Sequence, residues 1–232
     1  KINSGGFGTV YRAVRVEDNV VVALKELSGA DIGEPEKQRF TREVKIQAKL
    51  DHKNIVPILG YNLTVEPPIF IMPLAKGSLR DEIATLKDNV HRAVNVFLQI
   101  LDGVEHAHKN GVIHRDLKPE NILFFEELFE DDVFKIGDFG LGKRLDFESV
   151  TITRSSENMG TAAYMPPEQF GSFKHVDHRA DIFSLGKILY EILTGEFPIH
   201  VDVKHAKVPG SYGFVISKCL EHAPTNRYQS VK

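Results

Sequence analysis

The chain has 232 residues, 42% of them hydrophobic, and a formal net charge of −3 at pH 7. This length suits one large domain or two small lobes, and the weak charge does not indicate a nucleic-acid or membrane-surface binder. The single cysteine, Cys219, excludes an internal disulfide and fits a reducing compartment. No apolar run reaches transmembrane length, so we expect no membrane segment within this chain.

The first part of the chain has the pattern of a small β-sheet with one helix. Runs rich in β-branched residues predict strands at residues 11–16, 20–27, 55–61 and 68–72. A helix is predicted at residues 34–50, where Pro35 suits the first turn. Phe40 and Val44 follow the helical period on one face of this segment, so that face is expected to pack against the sheet.

The second part of the chain is rich in helical patterns. Helices are predicted at residues 79–83, 90–108, 180–194 and 212–221, and short strands at residues 122–125 and 133–136. Gly195 suits the end of the third of these helices. The acidic loop at residues 126–132 is predicted as a solvated turn, with a partner site as the alternative. The two parts meet near residues 72–76, which predicts an α+β chain with an amino-terminal lobe at residues 1–72, a carboxy-terminal lobe at residues 73–232 and a ligand cleft between them.

Residues 114–121, His-Arg-Asp-Leu-Lys-Pro-Glu-Asn, carry most of the chemistry of the sequence. Asp116 is suited to accept the proton of an incoming hydroxyl, and Lys118 is suited to neutralise a transferring phosphate. Asn121 offers an uncharged oxygen to a hard cation such as Mg²⁺, and Asp138, in Asp-Phe-Gly, offers a charged one. The two motifs together predict phosphoryl transfer from a metal nucleotide. Polar residues that only cap loops are the alternative.

Two features nearer the amino terminus fit the same chemistry. Residues 3–10, Asn-Ser-Gly-Gly-Phe-Gly-Thr-Val, lie before a strand, and glycines there let backbone N–H groups approach phosphate oxygens. A glycine-rich hairpin without a ligand is the alternative. Lys25 ends an alternating strand, and Glu43 follows on the helix, where it is placed to pair with the lysine ammonium. A surface salt bridge is the alternative for this pair.

These motifs together resemble the catalytic domain of eukaryotic-type (Hanks-type) serine/threonine protein kinases. The resemblance spans nearly the whole chain, from Lys1 to Arg227. It implies one kinase domain with a bilobal fold, in which a small antiparallel sheet and the αC helix of the family lie on a larger, mainly helical lobe. It also implies an enzyme that transfers the γ-phosphoryl group of ATP to Ser or Thr hydroxyls of protein substrates. The implied cofactors are ATP and Mg²⁺, with Mn²⁺ as a substitute.

The resemblance gives each site residue an expected role. The expected catalytic residues are Asp116, Lys118, Lys25 and Glu43, and the expected metal ligands are Asn121 and Asp138. The expected ATP-binding residues are Ile2, Gly5, Gly6, Gly8, Val10, Ala23, Lys25, Ile71, Met72, Leu74 and Leu123. The spacing to the Gly-Ser-Leu that follows puts Ile71 at the gatekeeper position. The Met72 carbonyl and the Leu74 N–H are then expected to bond the adenine.

Residues 160–168 resemble the end of a kinase activation segment. The expected residues of this segment and its supports are Arg115, Thr151, Thr153, Ser155, Ser156, Thr161, Glu168 and Arg227. Glu168 is expected to pair with Arg227 and so close the segment onto the helical lobe. Asp181 is expected to brace the catalytic loop from the helix that carries it.

Regulation by phosphorylation is a second expectation from this segment. A phosphate on one of its hydroxyls is expected to pair with Arg115 and order the loop, whereas the alternative is that hydroxyls simply suit a loop. Lys118 and Thr161 resemble the serine/threonine branch of the family rather than the tyrosine branch. An upstream kinase, or a second copy of this chain acting in trans, is the expected source of the phosphate.

Several residues depart from the family pattern. Asn3 stands in place of the first glycine of the loop, and Asn tolerates unusual φ values. Gln47 replaces an apolar residue of the αC helix and needs a polar partner there, which is expected to make the active position of the helix less stable. Phe183 replaces the usual tryptophan, and Pro166 the usual alanine. The span 181–227 is short, so the αG region is expected to be reduced and the carboxy-terminal end truncated.

Two other functions compete with the kinase reading. A pseudokinase that serves as a scaffold or switch would lack a key residue, yet all five are present: Lys25, Glu43, Asp116, Asn121 and Asp138. A small-molecule kinase is disfavoured, because residues 160–168 resemble a peptide-binding platform. The expected partner is a protein substrate with a Ser or Thr acceptor, with no nucleic acid. The expected location is cytoplasmic, or the cytoplasmic-facing domain of a larger protein.

Overall fold

The computed structural model describes residues 1–5, 8–28, 32–126, 132–139, 160, 162–170, 176–201 and 208–232. A five-stranded antiparallel sheet forms the amino-terminal part, in the spatial order β1-β2-β3-β5-β4. Its strands are β1 (Asn3–Gly5), β2 (Gly8–Val14), β3 (Val21–Glu26), β4 (Gly60–Asn62) and β5 (Ile69–Pro73). Helix α1 (Glu34–Gln47) lies between β3 and β4 along the chain.

One face of this sheet is apolar and packs against α1. Ala23 on β3, Leu27 directly after β3, and Phe70 and Met72 on β5 are buried in one cluster with Phe40 and Val44 of the helix. The rings of Phe40 and Phe70 lie 5.6 Å apart, centroid to centroid. The helical period predicted for α1 is therefore confirmed, and its apolar face covers the sheet.

The carboxy-terminal part is mainly helical. Its helices are α2 (Leu79–Leu86), α3 (Val90–Lys109), α4 (Arg179–Thr194) and α5 (Tyr212–Cys219). A three-stranded antiparallel sheet of β6 (Gly77–Ser78), β7 (Ile122–Phe125) and β8 (Val133–Ile136) lies on these helices. Almost every residue of α4 is buried, and this helix ends at Gly195, whose φ of 73° suits glycine. The α+β, bilobal architecture expected from the sequence is confirmed.

The prediction of a strand at residues 55–61 is wrong over most of its length. Only Gly60–Asn62 pairs within a sheet, whereas Ile55 makes a single parallel bridge to Ile136. The Val56 N–H donates to the Ile136 carbonyl at 2.9 Å, so this apolar stretch joins β8 rather than the five-stranded sheet. Pro57, which has no N–H, follows directly and ends the ladder.

Two helices end at residues other than the predicted ones. Helix α1 ends at Gln47 rather than near residue 50, and α2 continues to Leu86 rather than residue 83.

Among the helices in the described part of the chain, none is both long and apolar enough to cross a membrane.

Candidate active site

The loop at residues 114–121 is held from below by Asp181, near the start of α4. Asp181 is fully buried, and its two carboxylate oxygens accept hydrogen bonds from the backbone N–H groups of His114 at 2.9 Å and Arg115 at 2.8 Å. His108 Nε2 lies 2.8 Å from Oδ2 of the same carboxylate. Burial works to raise the pKa of Asp181, but the hydrogen bond from His108 and the charges around it outweigh burial and lower the pKa. The carboxylate is therefore ionised and braces the loop.

His114 links this loop to the strand that precedes Asp138. The Asp116 N–H donates to His114 Nδ1 at 3.2 Å, and His114 Nε2 lies 3.0 Å from the Gly137 carbonyl oxygen. Because Nδ1 accepts a bond, the proton of the ring belongs on Nε2, where it donates to that carbonyl. The buried imidazole thus sets the distance between Asp116 and the Asp138 segment.

Asp116 has a basic and an amide neighbour within the same loop. Lys118 Nζ lies 3.4 Å from Asp116 Oδ2. Asn121 Nδ2 donates to the backbone oxygen of Asp116 at 2.8 Å and to its Oδ2 at 3.1 Å. The Asp116 side chain keeps 19% of its surface open to solvent, so a substrate hydroxyl is able to reach it. Arg115, the residue before it, has a φ of 65°, and such strained backbone is typical of functional loops.

Lys25 forms its ion pair with Asp138. Its Nζ lies 2.5 Å from Asp138 Oδ1, and among the described residues no ion pair joins Lys25 to Glu43. The predicted Lys25–Glu43 pair is thus replaced by a contact with the carboxylate that lies closer. Burial raises the pKa of Glu43 to about 7, although the Lys25 ammonium works to lower it. Glu43 is therefore only partly ionised near neutral pH, which weakens its attraction for the ammonium.

Asp138 lies among many protein atoms, yet 46% of its side-chain surface stays open to solvent. Crowding works to raise the pKa of Asp138, but the Lys25 ammonium and the nearby His114 and Lys118 outweigh it and lower the pKa. Its φ of 52° is a second case of left-handed backbone at this site. The result is an ionised, accessible carboxylate.

The residues expected to hold a metal fit a magnesium-type ion. The Gly137 N–H donates to the Asn121 carbonyl at 2.8 Å, which places Asn121 beside the backbone that carries Asp138. Asn121 uses its amide nitrogen on Asp116, so its amide oxygen is the atom suited to a cation. Within the described residues no group of three or more His, Cys, Asp or Glu side chains forms a cage. One carboxylate and one amide suit Mg²⁺, which keeps waters and substrate phosphates as its other ligands.

The nucleotide side of the cleft contains most of the apolar residues expected there. Ala23 and Met72 are buried, and Val10, Leu74 and Leu123 are partly buried against the same cluster. Ile2 is exposed, and its N–H donates to the Val10 carbonyl at 2.8 Å. Ala23, Met72, Val10, Leu74 and Leu123 thus belong to one apolar cluster, whereas Ile2 lies outside it.

The glycine-rich segment is a β-hairpin whose strands β1 and β2 pair Gly5 with Gly8. A Cβ on Gly8 would lie 2.8 Å from the Glu26 carbonyl oxygen, so a side chain is excluded there. Gly6 lies outside the described residues.

The register of β5 corrects the position of the gatekeeper. Met72 pairs with Ala23 and Phe70 with Lys25, so these four side chains share one face of the sheet. Ile71 pairs with Leu24 and therefore lies on the opposite face, and the assignment of Ile71 to the cleft is wrong. Met72 is the residue at this end of β5 that shares a face with Ala23. The spacing to the Gly-Ser-Leu misled the prediction because the connection after β5 is one residue shorter than assumed.

The pairing of β3 with β5 also determines the directions of the backbone carbonyl groups at the end of β5. The Leu27 N–H donates to the Pro68 carbonyl at 3.0 Å, and every second pair of an antiparallel ladder is hydrogen-bonded, so Ala23–Met72 is a bonded pair. The Met72 carbonyl is thus directed at Ala23 and not at a ligand, contrary to the expectation. The carbonyl of Pro73, the next residue, points away from β3.

Gln47, which departs from the family pattern, has a polar partner. It is buried, and its Nε2 donates to the Val56 carbonyl at 2.8 Å. Gln47 also lines a small pocket together with Lys25, Phe40, Glu43, Val44, Phe70, Asp138 and Phe139. The amide nitrogen of this buried side chain therefore has a hydrogen-bond acceptor.

The end of the activation segment is fixed to the helical lobe by Arg227. Two guanidinium nitrogens of Arg227 donate to the two carboxylate oxygens of Glu168 at 2.6 and 2.7 Å, as the resemblance implies. The remaining donors bond the carbonyls of Arg179, Glu221 and His222. The expected phosphorylation sites and the platform hydroxyl lie outside the described residues: Thr151, Thr153, Ser155, Ser156 and Thr161.

Arg115, the expected phosphate sensor, lies next to this segment. Its carbonyl accepts a hydrogen bond from Gln169 Nε2 at 3.2 Å. Its Nε is buried, and no described residue accepts a hydrogen bond from that atom.

Sequence reasoning missed one polar cluster at the edge of the site. Arg80, on α2, contacts Glu120 of the catalytic loop, Glu191 of α4 and Tyr164 of the activation segment. These residues come from four separate segments, and no motif marks Arg80, so only the three-dimensional arrangement shows their relation.

Comparison with known proteins agrees with this geometry. Residues 1–229 match the family described as the protein kinase domain. A probable serine/threonine-protein kinase of Clostridium perfringens is 33% identical over 252 aligned positions, which cover 100% of this chain and 36% of the relative. Serine/threonine-protein kinase A of Synechocystis is 34% identical, with 99% of this chain and 50% of the relative covered. Serine/threonine-protein kinase PknL of Mycobacterium tuberculosis is 35% identical over 205 positions, with 87% of this chain and 50% of the relative covered. The chain thus spans half or less of the length of these relatives, and it belongs to the protein kinase family.

Proposed function

We propose that this chain is the catalytic domain of a serine/threonine protein kinase that transfers the γ-phosphoryl group of ATP to protein hydroxyls. The observation that carries the proposal is the position of Asp116. Its carboxylate lies within 3.4 Å of Lys118 Nζ and 3.1 Å of Asn121 Nδ2, in a loop that Asp181 braces. This arrangement provides a base for a hydroxyl, a cation for the transferring phosphate and an amide for a metal.

Each residue contributes to positioning and charge rather than to covalent chemistry. Asp116 orients the acceptor hydroxyl and receives its proton. Lys118 stabilises charge on the transferring group, and Lys25, now bonded to Asp138, holds the α- and β-phosphates. Asn121 and Asp138 would hold a divalent metal ion, which would supply positive charge to offset that of the phosphate groups.

The adenine contacts follow the corrected register of β5. We assign the gatekeeper to Met72, the carbonyl that accepts from the adenine amine to Pro73, and the N–H that bonds the ring to Ala75. The direction of the Pro73 carbonyl away from β3 supports this assignment, and Pro73 needs no N–H in that role. Val10, Ala23 and Leu123 contact the faces of the ring.

The preference for Ser and Thr is supported by Lys118 and by the names of the relatives. Regulation by phosphorylation of the activation segment is supported by the buried Nε of Arg115, for which no described acceptor exists. A phosphate beside Arg115 would supply one. Protein substrates, an upstream kinase or a second copy acting in trans, and a cytoplasmic-facing site of action belong to the same proposal.

The test is mass spectrometry of the purified protein after incubation with Mg²⁺ and ATP, with and without myelin basic protein as acceptor. We expect phosphoserine or phosphothreonine on the acceptor and on the chain itself, and a weaker signal after phosphatase treatment. A parallel series with Mn²⁺ shows which ion supports transfer.

The matched variant is Asp116→Asn, which should lower kcat by roughly 10²- to 10⁴-fold, the usual contribution of a general base. Asp102→Asn, on the exposed face of α3, is the control and should keep full activity. Unchanged transfer by Asp116→Asn would remove Asp116 from the proposed role. Phosphotyrosine as the main product would overturn the serine/threonine assignment.

A further inference from the structure

Arg80 is held by three polar partners at the edge of the catalytic loop. Its Nε donates to Glu120 Oε1 at 2.8 Å, and its terminal nitrogens donate to Glu191 Oε1 and, at 2.6 Å, to the Tyr164 hydroxyl. The Tyr164 hydroxyl in turn donates to the second oxygen of Glu191. The guanidinium carbon also lies 5.9 Å from the centre of the Tyr164 ring and 5.6 Å from that of Phe197. The guanidinium is thus fixed in one orientation.

This cluster borders the place that an acceptor residue must occupy. Glu120 lies in the turn Pro119–Asn121, between the two residues that contact the Asp116 carboxylate, Lys118 and Asn121. Tyr164 belongs to the segment that ends at Glu168 and is tied to α4, because Ser184 Oγ donates to its backbone oxygen at 2.9 Å. A peptide that presents a hydroxyl to Asp116 therefore passes close to Glu120.

The cluster holds one cation and two carboxylates, so Arg80 offsets one of the two negative charges. Glu120 keeps 46% of its side-chain surface exposed, whereas Glu191 keeps only 3%. Burial works to lower the pKa of Arg80, but its bonds to Tyr164, Glu120 and Glu191 outweigh burial and raise the pKa, so the guanidinium stays charged. Two carboxylates thus share one cation, and the exposed member, Glu120, is the one whose field an approaching peptide meets.

We propose that Arg80 is a specificity-determining residue, which sets the charge preference of the peptide groove by offsetting one of the two negative charges of Glu120 and Glu191 from within the chain. With Arg80 in place, the groove beside Asp116 offers little attraction to a basic side chain of the substrate. Without it, the two carboxylates face the peptide, and a substrate Arg or Lys takes the place of the internal guanidinium. This inference rests on the proposed protein kinase function.

The experiment compares serine peptides that differ at one position, which holds Arg, Ala or Glu, scanned along both sides of the acceptor. The measured quantity is the ratio of kcat/KM for the Arg peptide to that for the Glu peptide. For Arg80→Gln we expect this ratio to rise about fivefold or more at low salt at one position at least, as for two partly screened charges, and less at high salt. Arg80→Lys, which keeps the charge, should stay near the wild-type ratio.

Two variants of Glu120 separate charge from structure. Glu120→Gln alone should shift the ratio towards the Glu peptide, because Arg80 then has one carboxylate fewer. Arg80→Gln combined with Glu120→Gln should return the ratio towards the wild-type value. Because Glu120 is exposed, the ratio for Glu120→Gln alone can be measured even if Arg80→Gln unfolds the protein, which a melting temperature reports.

Three outcomes of these measurements would overturn the proposed role of Arg80. An equal ratio in the wild type, Arg80→Gln and Glu120→Gln, with each enzyme active, would overturn the role of Arg80 and leave the proposed function standing. An equal loss on all peptides would show that Arg80 only supports the structure, and would also overturn it. If the wild-type chain phosphorylates no peptide or protein, the proposed function fails and this inference fails with it.

Discussion

Lys25 Nζ and Asp138 Oδ1 lie 2.5 Å apart although the two residues are 113 positions apart in the sequence. The contact joins β3 of the five-stranded sheet to the segment after β8 in the helical part. Two residues proposed for phosphate and metal binding thus hold each other in position.

Lys25→Met should remove the cation that orders this contact while keeping the length of the side chain. We expect kcat/KM for ATP to fall roughly 10²- to 10³-fold, the usual loss when one preorganised charge is removed from a site. Lys37→Met is the control, because Lys37 pairs with Glu66 on the surface, away from the cleft. Steady-state kinetics measures the effect, and circular dichroism shows whether the fold is kept.

Glu43 should make stability depend on pH. Burial raises its pKa from 4.5 to about 7, so between these values the folded protein holds a proton that the unfolded chain has lost. The free energy of unfolding should therefore fall as the pH rises from 4.5 through 7, by up to about 3 kcal/mol. Glu43→Gln has no such titration and should be the more stable protein at pH 8 but not at pH 4.5.

Chemical unfolding of both proteins across this pH range measures the difference. Glu17→Gln, on an exposed turn, is the control and should follow the wild-type curve. Parallel curves for the wild type and Glu43→Gln would show that the pKa of Glu43 is the same in the folded and unfolded protein, contrary to the prediction.

Substitutions of Met72 and Ile71 test the assignment of the gatekeeper, because these two side chains lie on opposite faces of the sheet. Met72→Ala should enlarge the space behind the adenine and allow an ATP analogue with a bulky N6 substituent to bind, with KM for that analogue lower by about tenfold or more. Ile71→Ala lies on the other face and should leave the KM of the analogue unchanged. Kinetics with ATP and the analogue on both variants decides between the two positions, and the opposite result would restore Ile71 as the gatekeeper.

Asp181→Asn should disturb the catalytic loop from within the helical core. The substitution places an amide NH₂ against the N–H of His114 or Arg115, and an unmet buried donor costs about 1–3 kcal/mol. A loop displaced by an ångström would lower kcat by roughly 10²-fold. The control is Asp177→Asn, four residues earlier, because Asp177 pairs with Arg179 at a more exposed site. Comparison of kcat at saturating ATP and of melting temperature tests this, and equal activity of both variants would contradict the bracing role.

Arg227→Lys should be strongly destabilising although it keeps the charge. Arg227 uses all five N–H donors, two on Glu168 and three on backbone carbonyls, and an ammonium cannot reproduce this planar pattern. We expect the free energy of unfolding to fall by roughly 3 kcal/mol, as for a broken buried ion pair. Urea unfolding measures the loss. Arg15→Lys, in an exposed pair with Asp18, should change stability little and provides the comparison.

Short, strongly patterned elements were predictable from the sequence. The strands at residues 122–125 and 133–136 have the predicted bounds, because apolar runs between turn residues leave few alternatives. The end of α4 was predictable because Gly195 is a local signal. The loop with Asp116 was predictable because its chemistry lies in eight consecutive residues.

Features that depend on register or on distant contacts were not predictable in the same way. An error of one position in the connection after β5 moved Ile71 from one face of the sheet to the other. The Lys25 ammonium contacts Asp138 rather than Glu43 because the Asp138 carboxylate lies closer to it in the folded chain. The spacing of these residues along the sequence does not indicate which carboxylate lies closer. Arg80 and Glu191 are 111 residues apart, and nothing in either local sequence indicates that they meet.

The hydrogen bond from Gln47 to Val56 gives the position of α1 an all-or-none character. An apolar side chain slides over its neighbours with a gradual change in energy, whereas a hydrogen bond has a narrow range of distance and angle. Rotation of the helix by part of a turn would leave a buried amide without its acceptor, at a cost of about 1–3 kcal/mol. Helix α1 is therefore held in one position. A partner that moves this helix must supply another acceptor for the Gln47 amide.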